Sequence, residues 1–163
     1  MSMNNWGVAL EACKRMGVPF SILDDGAPFP DDFVAGPAAG GLSPSKGVFL
    51  RRSDGTDGEA WAWVLHELSH LVFWHPEKGA DVEEFPLMAW EWAVSRALGA
   101  RGFWTATYLL DTQIVDRKSV ESWKVPRRSW WFKQGLQDCI RCGVLDEKQR
   151  PTWKRPNGLW EVA

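Results

Sequence analysis

Histidine, tyrosine and cysteine are scarce in this 163-residue chain, at three, one and three residues, against twelve tryptophans. An odd and small cysteine set argues against a disulfide framework and fits a reducing compartment. No stretch approaches the roughly 18 apolar residues that a membrane-spanning helix needs. The N-terminal "MSMNNWGVALEACKRMG" places its cationic pair after its apolar residues, unlike a secretory signal. The expectation is a cytoplasmic protein with no membrane association. There is no internal repeat, and 45% hydrophobic with 25% charged residues is the composition of an ordinary globular domain. Residues 1–163 are expected to form one domain.

Charge is unevenly spread. Residues 1–100 carry 7 Lys and Arg against 14 Asp and Glu, whereas residues 101–163 carry 12 against 7. The expected organisation is therefore a core over 1–100 and a basic, tryptophan-rich extension over 101–163, the two facing different partners. Trp6, Ala9, Leu10, Cys13 and Met16 are spaced as a helical stripe ending at Gly17. "VPFSILDD" and "GVFLRR" read as strands, and the Gly/Pro-rich 26–47 between them as a loop with little regular structure. Thr56 and Glu59 have capping-box spacing ahead of a helix over 60–74, which Pro76 ends. A further helix is expected over 85–98, with Glu83 and Glu84 at its positive end and Gly99 at its close. Beyond it come a helix or strand in "FWTATYLLDTQIV", a basic connector through Arg128, a helix over 129–142 and an extended tail.

All three histidines fall within "WVLHELSHLVFWH", an otherwise apolar helix whose polar groups would be buried. His66 and His70 lie four residues apart, one above the other on one helix face, so both imidazoles can reach one ion. Glu67, turned about 100° from His66, can serve a metal-bound water as general base without being a ligand. Chance yields about 0.003 such H-E-x-x-H motifs from this composition, and a buried carboxylate is costly unless a cation stands beside it. The motif therefore reads as a zinc site for hydrolysis.

A third protein ligand is required. His75 would point about 180° away from His66 on an unbroken helix. Among Glu77, Asp81, Glu83, Glu84 and Glu91, only Glu91 breaks a pattern, occupying a core-facing slot in the stripe of Leu87, Val94 and Leu98. Glu91 is the expected third ligand, with Glu84 in reserve. Tyr108 and Arg96 are weaker candidates for stabilising the charge that builds on the attacked oxygen. Cys139 and Cys142 have ligand spacing but no second pair, and read as reduced helix cysteines.

"WVLHELSHLVFWHP" followed by "EEFPLMAWEWAVSRALG" resembles the minimal gluzincin core of the ImmA/IrrE-type metallopeptidases. The resemblance covers roughly residues 47–99. It implies an α+β fold of the minimal zincin type, with a small sheet on the H-E-x-x-H helix and a second ligand helix, followed here by a helical extension. It also implies zinc on His66, His70 and Glu91, Glu67 as catalytic base, and a protein or peptide substrate paired with an edge strand such as "GVFLRR". Ser69 stands where that family commonly has glycine. A phage or mobile-element origin follows by analogy. A rival reading is a non-catalytic binding or inhibitor protein that keeps this core and acts through its surface. Residues 116–133 interleave six Lys and Arg with tryptophans, and Arg127, Arg128, Trp130 and Trp131 could meet an acidic protein or a nucleic acid.

Overall fold

A computed structural model describes residues 5–35, 40–52, 60–100 and 130–157. In chain order these form helix α1 (Asn5–Arg15), strands β1 (Phe20–Leu23), β2 (Val34–Ala35), β3 (Gly41–Ser43) and β4 (Gly47–Arg51), and helices α2 (Ala60–Val72), α3 (Phe85–Ala97) and α4 (Trp130–Arg141). The class is α+β. The capping box at Thr56 and Glu59, the segment "FWTATYLLDTQIV" and the basic connector lie outside the described residues.

The helices end as their glycines dictate. Gly17 adopts φ 67° and Gly99 φ 76°, the left-handed region that a residue without Cβ enters at no steric cost. In each case the next amide turns back to the helix, Val18 N to Cys13 O at 2.9 Å and Ala100 N to Ser95 O at 2.9 Å. The glycine amide itself bonds Lys14 O or Arg96 O, completing the Schellman pair that satisfies the terminal carbonyls. The face of α1 that turns inward is Val8, Ala9, Ala12, Cys13 and Met16, while Leu10 of the expected stripe is 37% exposed.

The four strands run in the order β1-β4-β3-β2. β4 pairs in parallel with β1, from Phe20↔Val48 to Leu23↔Arg51, and antiparallel with β3, from Gly41↔Phe49 to Ser43↔Gly47. This corrects two expectations. The Gly/Pro-rich stretch is not plain loop, since it supplies β2 and β3. "GVFLRR" is therefore an interior strand, and the edges are β1 and β2. The physical cause is visible in burial: Val48, Phe49 and Leu50 are all buried, as in a strand covered on both faces rather than alternating. Glycine at 41 permits the close approach of β2, because a Cβ there would collide with the Val34 carbonyl and the Phe33 ring.

The apolar α2 lies at the centre, against α1, α3, β3 and β4. Leu65, Leu68 and Phe73 on and just beyond it are fully buried, each contributing about 1.5–3 kcal/mol. That contribution offsets the cost of enclosing His66, Glu67 and His70 on the same helix. The core continues through Leu87, Trp90 and Val94 of α3 to Phe132, Leu136 and Cys139 of α4. α4 approaches the start of α3 closely at Gly135, where a Cβ would strike the Phe85 carbonyl. The tail after Gly143 is not extended. Leu145 bridges back to Pro151, Asn157 N bonds Cys142 O at 2.9 Å, and Arg155 Nη1 donates to Leu71 O at 2.8 Å near the end of α2. Arg15 of α1 lies 5.0 Å from the Trp153 ring centre.

Candidate metal centre

The helical spacing of His66 and His70 stacks their rings edge to face, centroids 4.6 Å apart, with the two Nε2 atoms at 3.1 Å. Two imidazole nitrogens at that separation cannot both present a proton to the other. Ser69, one residue before His70, donates its hydroxyl to the His66 carbonyl at 2.6 Å. The serine that stands in the glycine position is thus buried with its polar atom satisfied.

The third group is Glu84, the reserve carboxylate. Its Oε1 lies 3.4 Å from His70 Nε2 and 3.8 Å from His66 Nε2. Glu84 is the N-cap residue of α3, yet its side chain makes no capping hydrogen bond. It is turned to the histidines instead. Glu91, the expected ligand, is completely buried as its place in the stripe requires, but it faces the opposite nitrogen: Oε2 stands 3.4 Å from His66 Nδ1. The difference in placement has a geometric reason. Residue 91 is two turns inside α3 and meets the flank of the His66 ring, whereas residue 84 sits where the chain enters the helix, beside the ring tips.

These three groups fit a divalent cation. His66 Nε2, His70 Nε2 and Glu84 Oε1 all lie within 4.8 Å of one another. A triangle with sides 3.1, 3.4 and 3.8 Å has a circumradius of about 2.0 Å, the length of Zn–N and Zn–O bonds. Among the described residues Glu84 Oε2 and His70 Nδ1 are buried with no hydrogen-bond partner, as the polar atoms around a bound ion would be.

Glu67 stands beside the cluster and outside it. It is 6% exposed and borders a cleft with Gly40, Gly41, Phe49, Leu50 and Trp63. Burial raises the Glu67 pKa, against the opposing pull of His66 and His70. Burial disfavours charge on His66, but the carboxylates of Glu91, Glu67 and Glu84 together outweigh it, and the ring is pushed up to about 9. For Glu84 burial is likewise overcome, by the hydrogen bond to His70 and the two imidazoles, and its pKa is lowered.

The remaining candidates separate from the site. His75 lies beyond α2, its Nδ1 accepting from Glu77 N and Lys78 N at 3.1 Å each in a tight turn. Arg96 is exposed, 5.3 Å from the Trp92 ring centre. Cys139 and Cys142 are buried, donating to Pro86 O and Cys139 O. Tyr108, Arg127 and Arg128 lie outside the described residues, as do the side chains of Trp130 and Trp131 at the start of α4. No protein-family profile, curated protein or solved structure matches the chain.

Proposed function

We propose that His66, His70 and Glu84 hold a zinc ion and that the protein hydrolyses peptide bonds, with Glu67 as general base. The observation that carries this reading is the convergence of three ligand atoms at bonding radius with an unligated, buried carboxylate alongside. Zinc held there would supply a Lewis acid and a water with its pKa lowered to about 7. The chain's own part is proton transfer. Glu67, buried beside the three groups and not one of them, is placed to take a proton from the attacking water, and that proton can pass to the departing amine. An extended peptide would lie along the cleft at Gly40, Gly41 and Phe49. β2 is the free edge on that side of the sheet, so main-chain pairing falls to β2 rather than β4.

The test uses zinc-loaded protein and a random-sequence peptide library, with new termini read by mass spectrometry. New termini are expected with the native protein and none with Glu67→Gln, which should keep its zinc because residue 67 is not a ligand. Equal cleavage by both proteins, or none by either with zinc bound, would refute the reading.

A further inference from the structure

Glu91 is unused by the proposed chemistry, yet it is among the most deeply buried charged groups in the described residues, with 0% exposure. A carboxylate accepts hydrogen bonds and donates none. Its Oε2 meets His66 Nδ1 at 3.4 Å, and among the described residues its Oε1 has no hydrogen-bond partner. Enclosed away from water, such a group is tolerated only when a proton on its neighbour faces it. A proton on Nδ1 leaves Nε2 free to present its lone pair, and Nε2 is the atom that meets His70 and Glu84. The ring is thereby addressed by two carboxylates of α3, Glu84 at its entry and Glu91 in its interior, one at each nitrogen.

We infer that Glu91 is a positioning residue: it fixes His66 with the proton on Nδ1 and the lone pair of Nε2 directed at the cation, and is not itself a ligand. This rests on the metal-centre reading above. Outer carboxylates of this kind typically change metal affinity by about 10–100-fold. A ligand carboxylate could not be exchanged for an amide so lightly, whereas a positioning carboxylate can, because the Gln carbonyl oxygen still accepts from Nδ1–H.

The experiment measures zinc affinity by chelator competition and the His66 ring by long-range proton–nitrogen NMR on the zinc-loaded protein. Glu91→Gln should stay within about tenfold of the native affinity. Glu91→Leu, which completes an apolar stripe and so keeps the fold, should lose about 10–100-fold, and Glu84→Gln should lose more than either. In the native protein the spectra should show zinc on Nε2 and a slowly exchanging proton on Nδ1, and that proton signal should broaden through faster exchange with water in Glu91→Leu. Zinc on His66 Nδ1, or a loss in Glu91→Gln equal to that in Glu84→Gln, would make Glu91 a ligand and overturn this inference while leaving a metal centre in place. Failure of the native protein to take up zinc would remove the metal centre and this inference together.

Discussion

Asp32 shows what one exposed side chain can hold together. Its Oδ1 accepts from Ser43 Oγ at 2.5 Å, and its Oδ2 from Ser45 Oγ at 2.6 Å and Ser45 N at 3.0 Å, tying the chain before β2 to the β3–β4 turn. The Ser43 and Ser45 hydrogen bonds lower its pKa. A group depressed in the folded state contributes stability that is complete above its unfolded pKa, about 4, and is lost as pH falls through the folded value. Urea midpoints of the native protein and Asp32→Asn should therefore differ by a constant amount above about pH 4 and converge below it. A gap that persists to pH 2 would assign the difference to geometry rather than ionisation. At this same scale the metal site was only partly legible. His66, Glu67 and His70 announce themselves by spacing within an apolar helix. Periodicity correctly marked Glu91 as buried, but burial does not say which nitrogen of a neighbouring ring a carboxylate meets. Glu84 stood only in reserve because an acid at a helix start has a sufficient local explanation in the helix dipole, and no stripe includes the residue before the helix.

Among the elements, helices were readable because their signals are local. Apolar spacing located α1, α2, α3 and α4, and glycines 17 and 99 marked two of their ends. β2 and β3 were not readable, since they are short and glycine-containing, and their reason to exist is the uncovered side of β4, which sequence spacing does not display. The α3–α4 contact at Gly135 was likewise invisible, because its glycine answers to a carbonyl fifty residues earlier. Gly135→Ala should destabilise the protein by about 1–3 kcal/mol, the usual cost of overpacking, read from chemical denaturation. Since Phe85 follows Glu84 directly, any shift of that carbonyl should also weaken zinc binding. Unchanged stability would mean that α4 moves away freely from α3.

For the molecule as a whole, the described part of the expected extension shares its interior with the core. Phe132, Leu136, Cys139 and Val144 belong to the same cluster as α1, α2 and α3. We expect Arg127→Ser with Arg128→Ser to elute from heparin at lower salt than the native protein, as loss of polyanion contacts requires, with zinc content unchanged. Identical elution would reduce this segment to a solvated face. The bond from Arg155 to Leu71 joins positions 84 residues apart, and it has a consequence in time. At roughly 5–20 residues per second of synthesis, the 71 residues from Glu84 to Arg155 take about 4–14 s to make. His66, His70 and Glu84 are all present on the nascent chain through that interval, while α4 and the strap that closes over α1 and α2 do not yet exist. The three candidate ligands can therefore meet before the C-terminal strap is made, and on the proposed reading the uptake of an ion need not wait for the finished chain.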